Sequence, residues 1–533
     1  MATALAQPVT FTNEPIRTFA DPADVASIEA ALGRARDNFK RRYPVVIGGR
    51  ACVTEQAIES RNPAHPGEIV GIVGSASREQ AVEAIETAAA TFDSWKRVPA
   101  LERAAYLFDA AERVRARRDD FNALLVYEVG KTWIEADADT AEAIDFLEFY
   151  AREALRYDKP PALTPVPGED NRLAYIPLGV GVVIPPWNFA FAIMAGMTAA
   201  ALVSGNTVVL KPSSDSPVIA AVFVDLLHEV GVPPGVVNFV PGSGRAIGDP
   251  IVAHPKTRFV AFTGSKEVGL HINELAAKTQ PGQVWIKRVI AEMGGKDSIV
   301  VAADANLDAA ADGIVASAFG FAGQKCSACS RAIVESSVYD TLVEKILARV
   351  AALTFGDPSA RGTDVSPVIN ESAMHAILDY VEKAVAEGGV LLAGGKRAAG
   401  DGYVVEPTVV GDVAPLATIA QEEIFGPVLA LVRASDYDDA LAIANNTEFG
   451  LTGAVYSGDE HKLERARHEF HVGNLYFNRK CTGALVGGHP FGGFNMSGTD
   501  SKAGGYDYLA LFTQAKMVSE KVDARGGGRA GGE

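Results

Sequence analysis

The polar and apolar positions of this 533-residue chain change period twice along its length. The stretch from Asp24 to Tyr43 repeats apolar residues at helical spacing and predicts one helix closing an N-terminal arm. Residues 75–157 keep that period over Arg78–Trp95, Pro99–Arg118 and Asp119–Arg156, the last broken at Gly130-Lys131. From residue 173 short apolar runs alternate with helical stretches. The runs Val180–Ile184, Thr207–Leu210, Val236–Val240 and Phe259–Phe262 predict buried strands. Between and after them, Phe189–Val203, Val218–Val230, Arg245–Ala253 and Glu267–Thr279 predict crossover helices. Strands alternating with crossovers specify a mostly parallel, doubly wound sheet, which binds ligands at the carboxyl ends of its strands. A second series runs from Ile299 to about Asn478, with helices over Tyr339–Leu353 and Ala373–Glu387. It predicts a second α/β domain and a cleft between the two.

Composition narrows the classes. At 48% hydrophobic and 22% charged residues, the chain has ample material for large cores. The net charge of −17 repels phosphate backbones, so no nucleic-acid partner is expected. No charged residue occurs between Leu173 and Leu210, but Pro177, Pro185, Pro186 and Ser204-Gly205-Asn206 cut this stretch into pieces too short to span a membrane. Four cysteines, Cys52, Cys326, Cys329 and Cys481, make no disulfide framework and fit a reducing, cytoplasmic location. The first residues carry no secretory or organelle-targeting pattern, and the glycine-rich residues 523–533 read as a disordered tail.

Several residues are candidates for chemistry. Pro241-Gly242-Ser243-Gly244 and Thr263-Gly264-Ser265 each follow a strand and precede a helix, where backbone can approach a phosphate. Neither fits a strict dinucleotide fingerprint, and each alone is also a plain turn. Cys326 lies in Gly323-Gln324-Lys325-Cys326-Ser327-Ala328-Cys329, whose small residues leave room for a ligand beside the sulfur. A helix start there would favour the thiolate. No second cysteine pair or histidine pair accompanies Cys326 and Cys329, so no metal site is expected. Cys329 is either packing or a partner for Cys326 in a reversible oxidised state. Glu292 follows an apolar run and is a candidate general base. Asn188 is placed to cap the next helix or to aim its amide at an oxyanion. Lys211 puts a charge at the end of a buried strand.

The segments PPWNF (185–189), LKPS (210–213), FTGS (262–265), EMGGK (292–296), GQKCS (323–327), EEIFGP (422–427) and PFGGFNMSG (490–498) occur in this order. Together they resemble the NAD(P)-dependent aldehyde dehydrogenase superfamily, over about residues 40–520. The stretch from Gly487 to Tyr506, with Gln324 to Arg331, is similar to the branch of that family that oxidises L-glutamate γ-semialdehyde, the open form of 1-pyrroline-5-carboxylate, in its monofunctional form.

This resemblance implies a Rossmann-like NAD-binding domain, a second α/β catalytic domain and a small β oligomerisation flap. In these terms residues 1–170 are an N-terminal arm and the helical part of the first domain, and 171–182 a flap hairpin. Residues 183–292 are the dinucleotide-binding core, 293–490 the catalytic domain, and 491–522 an anchor loop and C-terminal flap segment. Cys326 is implied as nucleophile, Glu292 as the base that activates water, and Asn188 as oxyanion donor. The cofactor set is Ile184, Pro185, Pro186, Trp187, Lys211, Ser213, Gly244, Phe262, Gly264, Ser265, Gly294, Glu423 and Phe425. NAD is the expected cofactor; the Lys211-Pro212-Ser213-Ser214 hydroxyls do not repel the extra phosphate of NADP. The substrate set is Glu142, Phe189, Ser327, Gly483, Ala484 and Phe491, with Phe189 and Phe491 clamping the aliphatic chain. The resemblance also implies a homo-oligomer, a dimer or dimer-based hexamer. Oxidation of another carboxylated semialdehyde, such as succinate semialdehyde, is the alternative, and a non-catalytic protein on this fold is opposed by the intact Cys326, Glu292 and Asn188.

Overall fold

The structure is a computed structural model that describes residues 10–522, so the tail at 523–533 lies outside the described residues. Two seven-stranded sheets form its frame. The first runs in the order Arg288–Glu292, Thr257–Thr263, Val180–Ile184, Thr207–Leu210, Val237–Phe239, Val45–Ile47, Arg50–Cys52. Its first five strands are parallel, and the last two form an antiparallel edge hairpin. The uniformly apolar central strands are covered on both faces by helices, the arrangement their sequence predicts. Strands pack closely here: a Cβ on Gly181 would lie 2.1 Å from the Phe259 ring. The second sheet runs Val390–Ala393, Thr408–Gly411, Val428–Ala434, Arg331–Glu335, Ser298–Val301, Thr452–Tyr456, Asn474–Phe477, parallel except for the first.

The helices follow the periodicity closely in the first half, at Arg78–Trp95, Ala100–Ala116, Arg118–Val129 and Trp133–Tyr157. Gly130 breaks the last pair with a left-handed φ of 73°. Several expectations are corrected. The first helix, Pro22–Asp37, stops before Tyr43, which belongs to the strand Arg41–Tyr43. That strand joins Gln56–Asn62 and His65–Ser75 in a three-stranded sheet that periodicity did not announce. Arg245–Ala253 splits into a π-turn at Gly244–Gly248 and a short helix at Asp249–Ala253. Residues 171–182 do not form a hairpin. Glu169–Pro177 pairs antiparallel with Thr513–Lys521 along its whole length, while Val180–Ile184 leaves for the core of the first sheet.

The root of this ribbon is a buried side chain. Asn206 accepts from the main-chain N–H groups of Leu178 and Gly179 at 2.7 and 2.9 Å. Its amide donates to the carbonyls of Ala201 at 3.1 Å and Phe512 at 2.9 Å. One amide thus joins the end of a helix, the entry to a central strand and the turn into the last strand. An alanine at 206 would leave the Leu178 and Gly179 N–H groups and the Phe512 carbonyl without these partners, while the Ala201 carbonyl keeps the main-chain N–H of residue 206 at 3.1 Å. Asn206→Ala is expected to lower unfolding free energy by on the order of 3 kcal/mol, read as a shifted denaturant midpoint at unchanged slope.

Candidate active site

Cys326 is presented by a backbone reversal. The helix Leu307–Phe319 ends, and Phe321, Ala322 and Gly323 then take left-handed φ values of 52°, 52° and 69°. A Cβ on Gly323 would lie 2.2 Å from the Gly426 carbonyl, so only glycine fits. Gln324 locks the reversal. Its side chain accepts from Ile369 N–H at 2.9 Å and donates to the carbonyls of Phe321 and Pro367 at 3.3 Å. Its own carbonyl accepts from the Asn188 amide at 3.0 Å. Cys326 therefore sits in a turn and not at a helix start, which corrects the expected dipole effect. Burial and the nearby carboxylates of Asp297, Glu423 and Glu292 push its thiol well above the usual range.

Asn188 is not a helix cap either. The helix Ala192–Val203 starts later, and Asp139 accepts from its Ala192 N–H at 2.7 Å. Asp139 also pairs with the fully buried Lys131 at 3.2 Å. The Lys131 ammonium stands 4.1 Å from the Phe189 ring centre and 4.6 Å from that of Phe321. Lys131 thus supports both the turn and a cavity wall, a role that its place in an interrupted helical pattern did not reveal.

A cavity of about 420 Å³ opens beside Cys326. Glu292, Ser327, Glu142, Phe189, Gly483, Ala484 and Phe491 line it, so the expected base and the whole expected substrate set meet at Cys326, the expected nucleophile. Glu292 accepts from Gly493 N–H at 3.1 Å and from the Ser501 hydroxyl. Burial raises its carboxyl to about 7 against these hydrogen bonds. Burial, with Asp139 nearby, raises Glu142 to about 8. The loop at 482–485 is closed by Arg479, which donates to the carbonyls of Thr482 and Gly483 at 2.8 and 3.2 Å. The N–H groups of Gly483 and Ala484 have no acceptor among the described residues.

Other lining residues went unpredicted. Lys325 pairs with Glu135 at 2.7 Å, and Lys480 flanks the loop. Glu14 and Ile16 of the N-terminal arm form another wall. Asp145 holds that arm, accepting from the Asn13 amide at 2.8 Å and Glu14 N–H at 2.7 Å. Isolated polar residues in a non-periodic arm give no local signal of such a contact.

The expected cofactor residues gather at the carboxyl ends of the parallel strands of the first sheet. Ile184 ends one strand and Pro185 to Trp187 follow it, Lys211 and Ser213 follow the next, and Phe262 lies near the end of a third, with Gly264 and Ser265 just beyond it. Lys211 is buried, its ammonium donating to the Pro212 carbonyl at 3.3 Å, and burial lowers it to about 8. The Ser213 hydroxyl accepts from Asp215 N–H at 3.3 Å. Ser265 caps the helix Lys266–Ala277, and the Phe262 ring lies where a Cβ of Gly264 would be. Gly244 is exposed with nothing near its missing Cβ. From the second domain, Glu423 accepts from Gly295 N–H at 3.0 Å, and a Cβ on Gly294 would lie 2.2 Å from its carboxylate. Phe425 meets Trp187 edge to face at 5.6 Å. Cys329 is buried in the core of the second domain and lies against Cys481, which agrees with packing, the first of its two readings. Among the described residues no cluster of His, Cys, Asp or Glu could hold a metal ion, and no helix is long and apolar enough to cross a membrane.

The chain belongs to the aldehyde dehydrogenase family, whose model matches residues 51–518. Within that family it is 55% identical over 510 residues to a 1-pyrroline-5-carboxylate dehydrogenase of Geobacillus thermodenitrificans, covering 96% of this chain and 99% of that protein. It is 54% identical over 514 residues to the Bacillus cytotoxicus protein of the same name, covering 96% and 100%. Among solved structures, 1-pyrroline-5-carboxylate dehydrogenase from Thermus with bound NAD superposes with a TM-score of 0.95 at 50% identity, covering 97% of this chain and all of that one.

The resting thiol gives a direct check. Alkylation of Cys326 by iodoacetamide in the ligand-free protein, followed by mass spectrometry, is expected to be slower at pH 7 than that of free cysteine and to keep rising above pH 9.

Proposed function

We propose that this chain oxidises L-glutamate γ-semialdehyde, formed by hydrolysis of 1-pyrroline-5-carboxylate, to L-glutamate with NAD. The carrying observation is the cavity that sets Cys326 and Glu292 beside two free loop N–H groups and the Glu142 carboxyl. The N–H groups suit an α-carboxylate, aided by the cation of Lys480 and the hydroxyl of Ser327. Glu142 suits the α-ammonium, since a cation beside it restores its carboxylate form. Succinate semialdehyde lacks that ammonium and would bury Glu142 without a partner. The names of the relatives at about 55% identity support the same substrate.

The sheet edge fits a dinucleotide. Lys211 is a buried ammonium with N–H donors to spare for ribose hydroxyls, Ser265 and the helix behind it suit a pyrophosphate, and open space surrounds Gly244. Glu423 would bind the nicotinamide ribose, with Phe425 and Trp187 beside the ring. When bound, NAD supplies the hydride acceptor.

Cys326 attacks the aldehyde carbon, and its proton passes to Glu292, whose affinity near neutrality suits both loading and release. The Asn188 amide, with one N–H on the Gln324 carbonyl and one left over, holds the oxyanion with the Cys326 N–H. Loss of hydride leaves a thioester on Cys326. Once Glu292 has released that first proton to solvent, it takes a proton from water, the hydroxide attacks the thioester, and glutamate leaves as the Cys326 thiolate takes the proton back from Glu292.

The protein acts in the cytoplasm, in keeping with its free thiols. It assembles with copies of itself through the exposed ribbon, where Met517 and Val518 face outward. Two outcomes test the chemistry. Native protein is expected to reduce NAD with pyrroline-5-carboxylate and far less with succinate semialdehyde, and Cys326→Ala to lose at least about a thousandfold in kcat; preference for succinate semialdehyde would overturn the substrate. Because Glu292 must be ionised, kcat is expected to fall below about pH 7, and Glu292→Gln to remove that limb and about a hundredfold of rate.

A further inference from the structure

Glu292 does not hold its own position. Its carboxylate is gripped by one short segment, residues 491–503, which also supplies two cavity walls. Phe491 and Ala503 exchange main-chain hydrogen bonds at 2.8 and 2.7 Å and close the segment into a loop. Inside it, Gly493 N–H donates to one Glu292 oxygen at 3.1 Å and the Ser501 hydroxyl to the other. Ser501 is buried, and its neighbours Asp500 and Lys502 take left-handed φ values of 58° and 35°. Non-glycine residues in that region persist only where surroundings hold them, so the hydroxyl is fixed in place. Lys502 provides the anchor: its ammonium donates to the carbonyls of Gly473 and Gly492 at 2.6 Å each.

We infer that Ser501 is the positioning residue for Glu292: its hydroxyl holds the carboxylate in the orientation and ionised form that activate water. The inference rests on the reading of Glu292 as the base. Titratable groups facing Glu292 are Lys502, the Cys326 thiol and the Tyr508 phenol. Of these only Lys502 is cationic, and its N–H donors are engaged by carbonyls. The Ser501 hydroxyl is therefore the one side-chain hydrogen-bond donor on the carboxylate among the described residues. A donor to a carboxylate stabilises the ionised form, and its removal favours the proton. The segment also links the functions: Phe491 faces the substrate chain while the same loop aims the base.

The test compares Ser501→Ala, Ser501→Thr and Glu292→Gln in the full-length protein. Each is read by the pre-steady-state burst of NADH, by steady-state kcat and KM, and by the pH profile of kcat at saturating pyrroline-5-carboxylate. For Ser501→Ala we expect a full burst, one NADH per folded site, followed by a kcat about tenfold lower at pH 7. KM should be unchanged, and the acid limb should move up by about one pH unit. Ser501→Thr, which keeps the hydroxyl, should restore the limb. An acid limb that stays in place in Ser501→Ala, or a limb that Ser501→Thr fails to restore, would overturn the inference. If the alanine variant is poorly folded, its burst amplitude counts the intact sites and kcat per burst site is compared; a normal value there also overturns it. A limb that survives in Glu292→Gln would overturn the reading of the base itself, and loss of that limb with an unmoved one in Ser501→Ala would overturn only the role of Ser501.

Discussion

The site depends on one constraint: the chain must reverse within Phe321–Gly323 against the Gly426 carbonyl. Two non-glycine left-handed residues cost roughly 1–2 kcal/mol each. The neighbourhood offsets that cost with groups that also serve the chemistry. Lys131 stacks on Phe321 and on the cavity wall Phe189. Gln324 ties the turn to the 367–369 segment, and Asn188 ties it to the first domain. Trp187 contacts both Phe321 and Phe425, so one ring joins the carboxyl edge of the first sheet to the turn that presents Cys326. Moving any of these pieces moves the sulfur.

The second organising feature is desolvation. The surface is strongly acidic, yet Glu142, Glu292 and Glu423 are all raised to about 7 or 8 by burial. They are the carboxyls that face substrate, water and cofactor in the proposed mechanism. A carboxyl held near neutrality can both accept and return a proton, which one in bulk water at pH 7 does poorly. The overall net charge therefore says little about the site, because the groups that matter are the ones removed from solvent.

Much of this was legible in the residues. Uniformly apolar runs such as Val180–Ile184 and long amphipathic ones such as Arg78–Trp95 announce themselves because burial on two faces or one leaves a period. The strand Arg41–Tyr43 does not, since three residues with two exposed arginines carry no alternation. The motifs placed Cys326, Glu292 and Phe491 in one family, and the cavity brings them together with the 482–485 loop. What escaped was contact between segments far apart in sequence. Glu14 reaching the cavity across Asp145, Lys131 under Phe189, and Cys329 against Cys481 depend on tertiary packing and leave no local trace.

The cavity draws its walls from Glu14 to Tyr508, and the ribbon rooted at Asn206 is completed by Thr513–Lys521. During synthesis the first sheet can assemble as soon as Arg288–Glu292 has left the ribosome. The pocket cannot close until Tyr508 has emerged as well. A chain cut short before Tyr508 can thus carry much of the first sheet while lacking a closed pocket beside Cys326.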